Sequence, residues 1–327
     1  MNCTLPILKY SRELQQDLLL RNYDILWDVD LGGSEFCRVK LGVRKYNGEL
    51  VAIKIVTKTF CSNFEKDVVL YIQDKLTSNT SLPEPLNTKS YNEYFPKIFD
   101  TFEDIDFIYI VMELSFGGEL FHLLVRSEDK LSEETVSLIF SQICSALKAL
   151  HSIGIMHGDI KAENITFSKE NRLDSIKLLD FGNSCLMLAN EKSSLGKNNV
   201  EIPIYNQCFI FNDSKKEIQF NQTYFDFWSC GKLLYLMLTG KYLEIDFFEC
   251  FDFSDSTKKK IFESSELKLC SDLAKDLLYK LLSYSFYQSE SLTMDKVLCH
   301  PWFNLAKNTP IINHHIYPHD ELIKVIS

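Results

Sequence analysis

The sequence lacks the features that mark membrane-spanning, disulfide-bonded or nucleic-acid-binding proteins. Its apolar runs, such as 107–112 and 233–238, are far shorter than the roughly 20 residues that a membrane helix needs. Its ten cysteines are scattered singly, with no C-x-x-C pair and no secretory leader. Positive charge is scarce, since 35 lysines and arginines stand against 45 aspartates and glutamates. We therefore expect a reduced, cytoplasmic protein with no nucleic-acid or membrane partner.

Apolar and aromatic residues are abundant by contrast. Of the 327 residues, 46% are hydrophobic and 13% are aromatic, which is enough for two well-filled lobes or domains. No internal repeat is found. The net charge of -10 makes a basic peptide a better partner than an acidic one.

The first third of the chain has the pattern of an antiparallel sheet. Two β-rich runs, 24–29 and 38–43, flank a glycine-containing stretch, and a third run covers 50–56. The stretch 77–94 is rich in Ser, Asn, Thr and Pro and is predicted to be an exposed insertion. The run 107–112 is a further predicted strand.

Helical patterns dominate the rest. Apolar residues from Val136 to Leu150 fit one face of a long helix that ends near Gly154, and 226–239 is apolar all round, which is typical of a buried helix. A small β-rich part followed by a larger helical part predicts an α+β fold with two unequal lobes.

A lysine and a glutamate stand where polar residues are not expected. Lys54 lies inside the apolar third run, where a buried lysine needs a partner. A helix is predicted around 64–76, and Glu65 falls on its apolar face with Val68 and Ile72. Glu65 is therefore the proposed partner of Lys54, with Asp67 as the weaker alternative.

The most informative segment is His157-Gly158-Asp159-Ile160-Lys161-Ala162-Glu163-Asn164, which follows the long helix. Its Asp-to-Asn spacing is that of a kinase catalytic loop. Asp180-Phe181-Gly182 then follows an apolar run, as a metal-binding turn at a strand end does. Phosphoryl transfer needs a cation for the phosphates, metal ligands and an acceptor for the substrate proton, and these motifs supply all three.

In this order the motifs resemble the eukaryotic protein kinase superfamily, over roughly 22–305. Gly117-Gly118-Glu119-Leu120-Phe121 and His300-Pro301-Trp302-Phe303 look most like the calcium/calmodulin-dependent group. The resemblance implies a two-lobed fold with an N-terminal extension at 1–21, a small lobe at 22–114, a large lobe at 115–305 and a tail at 306–327.

The resemblance also implies a role for each matching residue. Lys54 would hold the α- and β-phosphates of ATP with Glu65 fixing it, and Asp159 would orient the substrate hydroxyl. Lys161 would neutralise the transferring phosphate and marks a serine/threonine kinase. Mg2+ would be bound by Asn164 and Asp180. The other implied nucleotide-binding residues are Leu31, Gly32, Val39, Ala52, Met112, Glu113, Ser115 and Glu119.

Some implied roles concern substrate and scaffold. Glu119, with Glu163, resembles the acids that meet a substrate arginine in basophilic relatives, so a protein substrate with basic residues near its acceptor is expected. A hydrophobic spine anchored by Asp226 would stack Val69, Ile98, His157 and Phe181.

The chain departs from the family pattern at several positions. The three glycines of the phosphate-covering loop are here Gly32, Ser34 and Cys37. Gly158 stands where most kinases carry the arginine that receives an activation-loop phosphate, so that charge-assisted pair is lost. The 180–209 segment keeps neither the usual threonine nor Ala-Pro-Glu.

These departures leave a second function open. The arginine that normally pairs with the lost glutamate aligns with Ser291, so both partners of a buried pair are missing together, which favours a folded domain. The alternative to an active serine/threonine kinase is a pseudokinase acting as a scaffold or allosteric partner. A metabolic small-molecule kinase is the third hypothesis. No calcium-binding loop follows Phe303.

Overall fold

The computed structural model describes residues 12–58, 63–78, 91–126, 130–186, 223–245, 255–283 and 292–307. These residues form two compact units. The first contains the described residues up to Lys66 together with Lys97–Leu114, and the second contains the described residues between Asp67 and Pro96 and those from Ser115 onward. The first unit is mostly β-sheet and the second mostly helix, which confirms the two-lobed α+β kinase fold. The described residues 67–78 and 91–96, assigned to the small lobe from the sequence, group with the second unit.

Five of the described strands form an antiparallel sheet in the first unit, in the order β1-β2-β3-β5-β4. These strands are β1 (Tyr23–Ser34), β2 (Cys37–Arg44), β3 (Leu50–Thr57), β4 (Ile98–Glu103) and β5 (Phe107–Glu113). Each of the four predicted β-rich runs lies inside one of them. Strand β1 extends past its predicted run because Gly32 and Gly33 continue the pairing with β2, at φ angles of 148° and 153°.

A helix that the sequence analysis did not predict covers one face of this sheet. It is α1 (Arg12–Asn22), in the predicted N-terminal extension. Leu19 of α1 is 1% exposed, and the Gln15 side-chain oxygen accepts a hydrogen bond from the Glu103 N–H at 2.9 Å. The buried cluster around α1 consists of Leu19, Tyr23, Val51, Ile53, Ile55, Phe102, Tyr109 and Val111. Because side chains alternate along β3, the opposite face carries Lys54.

One helix begins in the first unit and continues in the second: α2 (Asn63–Ser78). The other described helices belong to the second unit. They are α3 (Leu120–Arg126), α4 (Glu133–Ser152), α5 (Tyr224–Thr239), α6 (Asp255–Phe262), α7 (Asp272–Leu282), α8 (Met294–Leu298) and α9 (Asn304–Lys307). The Ser132 hydroxyl caps the start of α4 by accepting from the Thr135 N–H at 3.2 Å. Gly154 follows the end of α4 at φ 78°, as the apolar pattern predicted. Helix α5 is buried along most of its length, also as predicted.

Two short strand pairs place the catalytic motifs in the second unit. Strand β6 (Ile155–Met156) pairs with β9 (Cys185–Leu186), and β7 (Ile165–Phe167) pairs with β8 (Ile176–Leu178). The loop between β6 and β7 contains Asp159, and the loop between β8 and β9 contains Asp180. Since each loop is held at both ends by the two ladders, the motifs come together although they are distant in sequence.

Candidate active site

A buried ion pair forms in the first unit. Lys54 of β3 and Glu65 in the first turn of α2 are only 7% and 8% exposed. The Lys54 Nζ donates a hydrogen bond to Glu65 Oε1. Either charge alone would carry a large desolvation penalty at this depth, so each accounts for the burial of the other. The structure thus brings together the two residues that the sequence analysis paired.

Strand register places further predicted nucleotide-binding residues on the face that carries Lys54. Residues directly opposite one another in antiparallel strands share a face. Val39 of β2 lies opposite both Lys54 and Gly32, and Ala52 lies opposite Met112. Since side chains alternate, Ala52 faces the same side as Lys54. The face opposite α1 therefore carries the residues expected to meet a nucleotide.

The connection between β1 and β2 depends on a glycine that the family pattern does not single out. Gly33 has φ 153°, and a Cβ there would lie 2.5 Å from the carbonyl oxygen of Cys37. No larger residue fits without a backbone shift. Leu31 lies at a register shift in the β1–β2 ladder. The segment therefore has two glycines with backbone conformations that favour glycine, Gly32 and Gly33, although Ser34 and Cys37 replace two glycines of the family pattern.

The predicted adenine-contacting residues already use some of their polar groups. The Glu113 N–H donates to the Lys97 carbonyl at 2.8 Å, so this N–H is not available to a base. The Ser115 hydroxyl accepts a hydrogen bond from the Thr166 hydroxyl at 2.9 Å. Thr166, which the sequence analysis did not single out, holds Ser115 by its side chain and also forms a β-bridge with Glu119.

Glu119 lies in an acidic corner of the second unit. Burial and the nearby charge of Glu163 raise the pKa of Glu119 above its usual value, and the adjacent His122 only partly offsets this. The Nδ1 atom of His122 is 3.6 Å from a Glu119 carboxylate oxygen. Glu163 is exposed. The two acids act on each other electrostatically, so a cation bound here would interact with both.

The catalytic loop gathers donors onto one oxygen of Asp159. Its Oδ2 atom accepts from Lys161 Nζ at 2.7 Å and from Asn164 Nδ2 at 3.1 Å. The same Asn164 amide also donates to the Asp159 backbone carbonyl at 2.8 Å. Burial alone would lower the pKa of Lys161, but its hydrogen bond to Asp159 and the charges of Asp180 and Glu163 raise it. Lys161 is therefore held as a cation.

The donor atoms near Asn164 and Asp180 suit Mg2+, which prefers oxygen ligands. Because the Asn164 Nδ2 is directed at Asp159, the amide oxygen points away from these bonds, and among the described residues it accepts no hydrogen bond. Asp180 has φ 62°, and one of its oxygens accepts from the Gly182 N–H at 3.3 Å. The Leu179 N–H donates to the Asn164 carbonyl at 2.8 Å and so links the two loops. The Asn164 amide oxygen and the Asp180 carboxylate therefore fit Mg2+, a hard cation that usually keeps several water ligands.

A buried carboxylate supports the start of the catalytic loop. Asp226 of α5 is fully buried, and its two oxygens accept from the His157 N–H at 3.0 Å and the Gly158 N–H at 2.9 Å. The imidazole of His151 contacts it at 2.8 Å. Burial alone would raise the pKa of Asp226, but these partners lower it overall. The carboxylate therefore stays ionised and fixes the backbone next to Asp159.

Replacing Asp226 with Asn is expected to destabilise the protein by about 3 kcal/mol, because one buried acceptor is lost and an NH2 group then faces backbone donors. Urea denaturation checks this. Asp272→Asn, at an exposed position at the start of α7, is the control and should leave the denaturation midpoint nearly unchanged. A midpoint for Asp226→Asn within error of the unsubstituted protein would contradict the anchoring role.

Part of the predicted spine is in contact. The ring centroids of His157 and Phe181 lie 5.1 Å apart. The ring centroid of Phe95, a residue that was not predicted, lies 6.1 Å from that of Phe181. Burial lowers the pKa of His157, against the opposing charge of Asp226, so the imidazole is neutral. Val69 and Ile98 are both buried, and their stacking with the other two stays a prediction.

Several predicted features lie outside the described residues. These are the central part of the insertion at 77–94, the later part of the 180–209 segment, and Ser291. Within the described ranges, no cluster of three or more His, Cys, Asp or Glu side chains could hold a metal ion. No helix in that part of the chain is long and apolar enough to cross a membrane.

Comparison with known proteins also indicates a protein kinase. Residues 28–303 match the protein kinase domain family. The chain is 32% identical over 297 residues to the probable serine/threonine-protein kinase fhkC of Dictyostelium discoideum, covering 90% of this chain and 46% of that protein. It is 32% identical over 305 residues to the maternal embryonic leucine zipper kinase of Danio rerio, covering 92% and 40%. It is 29% identical over 316 residues to calcium-dependent protein kinase 5 of Plasmodium falciparum, covering 92% and 50%.

The chain thus spans half or less of the length of these three relatives. The family match nevertheless includes both units and every motif from the phosphate-covering loop to His300-Pro301-Trp302-Phe303. The chain belongs to the eukaryotic protein kinase family.

Proposed function

We propose that this chain transfers the γ-phosphoryl group of ATP to a serine or threonine hydroxyl of a protein, in the presence of Mg2+. The observation that carries the proposal is the arrangement around Asp159, whose Oδ2 is held by Lys161 and Asn164. Among the described residues its Oδ1 accepts no hydrogen bond. A carboxylate held in this way by one oxygen presents the other to a substrate hydroxyl.

The remaining groups would act by position and charge. Asp159 would accept the proton of the substrate hydroxyl. As this proton leaves, the hydroxyl oxygen bonds to the γ-phosphorus, and the bond between that phosphorus and the ADP oxygen breaks. Lys161 would neutralise the transferring phosphoryl group, and Lys54 would hold the α- and β-phosphates. Mg2+, held by Asn164 and Asp180, would supply charge neutralisation between the phosphates. The buried Glu65 keeps Lys54 in place.

A basic protein substrate is part of this proposal. Glu119 and Glu163 form the acidic corner described above, and the chain carries a net charge of -10. An arginine near the acceptor would pair with both acids. We also place the activity in the cytoplasm, because the cysteines are scattered singly along the sequence, a pattern that favours a reducing compartment.

Two assays separate this function from the pseudokinase alternative. Thermal-shift titration with Mg-ATP reports binding, which raises the stability by an amount set by the ratio of ligand concentration to dissociation constant. Phosphate incorporation into matched Ser, Thr and Tyr peptides, each with and without arginines, reports transfer and its specificity. The proposal expects both signals, with Ser or Thr and arginine preferred. Binding without transfer to any peptide would favour the pseudokinase.

Glu119→Gln is expected to raise the KM for an arginine-containing peptide about tenfold at neutral pH, the loss of one charge-assisted pair. A matched alanine peptide should show little change. Because burial and Glu163 raise the pKa of Glu119, it gains its proton at a higher pH than an ordinary glutamate as the solution is acidified. The arginine preference of the unsubstituted protein should therefore weaken as the solution is acidified, whereas the small residual preference of Glu119→Gln should not show this pH dependence. An arginine preference that survives Glu119→Gln would remove this residue from substrate recognition.

A further inference from the structure

The glycine that replaces the family's arginine before the catalytic aspartate has a structural reason. Gly158 has φ 80°, a conformation that residues with a side chain rarely adopt. A Cβ on Gly158 would lie 2.4 Å from the carbonyl oxygen of Asn183. Arginine could occupy this position only if the segment after Asp180-Phe181-Gly182 moved away. The space that the arginine would need is filled by Asn183.

Asn183 reaches the catalytic residue itself. Its Nδ2 atom lies 3.4 Å from Asp159 Oδ2, the oxygen that also accepts from Lys161 and Asn164. Oδ2 therefore has three donors around it, while Oδ1 accepts none from the described residues. A third donor on the same oxygen restricts rotation of the carboxylate further and keeps Oδ1 directed outward.

The backbone that follows Asn183 is fixed against the catalytic loop. The Ser184 hydroxyl, buried at 2% exposure, donates to the His157 carbonyl at 3.0 Å. The Ser184 N–H donates to the Phe181 carbonyl at 3.1 Å. Cys185 of β9 then pairs with Met156 of β6. The approach of Asn183 to Asp159 is thus part of a continuous contact between two segments.

We propose that Asn183 is a positioning residue for Asp159, and that Gly158 is present because it lets Asn183 approach. This inference rests on the proposed function. Where most family members have an arginine that binds an activation-loop phosphate, this chain has a glycine and a contact between Asn183 and Asp159. Asp159 is therefore oriented by the segment that carries Asp180, without a phosphate.

The first test compares Asn183→Leu, which keeps the shape of the side chain and removes its donor, with Asn183→Gln, which keeps an amide. The readout is the single-turnover rate of phosphate transfer to a Ser or Thr peptide at saturating Mg-ATP. Asn183→Leu should lower this rate about threefold to tenfold with an unchanged KM for ATP, and Asn183→Gln should stay within about twofold. Asn47→Leu, in the exposed β2–β3 turn, is the control for the same substitution elsewhere. An unchanged rate in Asn183→Leu, or equal losses in Leu and Gln, would overturn the proposal.

The second test asks whether Gly158 and Asn183 act together. Gly158→Ala should displace the Asn183 segment, so adding Asn183→Leu to it should lower the rate by less than about twofold more. An undiminished effect of Asn183→Leu in the Gly158→Ala background would show that the two residues act separately and would contradict the role assigned to Gly158.

A third readout needs no turnover and so separates this inference from the proposed function. Hydrogen–deuterium exchange of a peptide covering 156–160 should be faster in Asn183→Leu than in the unsubstituted protein. If the unsubstituted protein transfers no phosphate, the proposed function fails, and faster exchange would still support the contact. Unchanged exchange would overturn the positioning role whether or not the protein is active.

Discussion

Asp159→Asn is expected to lower kcat by about 10²- to 10⁴-fold, the usual contribution of a positioned general base. Asparagine keeps the size of the side chain and one acceptor oxygen, but its amide cannot accept the hydroxyl proton. It also replaces one carboxylate oxygen with an NH2 group beside the donors of Lys161 and Asn164. The measurement is steady-state turnover with a Ser or Thr peptide.

The loss should be confined to chemistry. Asp159 is half-buried and surrounded by polar groups, so the variant should fold and should show a thermal shift with Mg-ATP close to that of the unsubstituted protein. Turnover within a factor of a few of the unsubstituted protein would exclude Asp159 as the group that receives the proton.

The second large effect concerns the buried pair in the first unit. Lys54→Met and Glu65→Leu should each destabilise the protein by about 3–5 kcal/mol, because each leaves the other charge buried without its partner. The double variant Lys54→Met/Glu65→Leu should recover much of this loss, since two apolar side chains can replace a buried ion pair at little cost. Urea denaturation of these three variants and of the unsubstituted protein gives the coupling free energy of the pair as a double-mutant cycle.

Unlike stability, activity should not recover in the double variant. The double variant regains stability but has no cation for the phosphates, so it should remain as inactive as Lys54→Met. Activity that returned together with stability would mean that Lys54 only supports the fold. Additive losses of stability in the double variant would mean that the two side chains do not depend on each other.

The sequence predicted most of the sheet and the long helices because their signals are local. The β-rich runs of β2, β3 and β5 and the apolar face of α4 can be read within a single element. The pairing of Lys54 with Glu65 was predictable for a related reason. Each charge falls on an apolar surface, and each surface is visible in its own strand or helix.

Contacts between segments that are distant in sequence were not predictable in the same way. Helix α1 was missed because its packing depends on the face of the sheet formed by β3, β4 and β5, which the residues of α1 alone do not reveal. Thr166 and Asn183 lie next to recognised motifs but match no motif position themselves, and their contacts come from the way β7 pairs with β8 and β6 pairs with β9. Gly158 was recognised as a departure from the family, but only the position of the Asn183 carbonyl explains it.

The most direct test of the central claim is transfer of labelled γ-phosphate from Mg-ATP to basic Ser and Thr peptides, with the unsubstituted protein and Asp159→Asn measured side by side. The account predicts labelled serine or threonine with the first and almost none with the second. No labelled peptide with either protein, under conditions in which both are folded, would contradict the kinase function; equal labelling by both would contradict the role of Asp159.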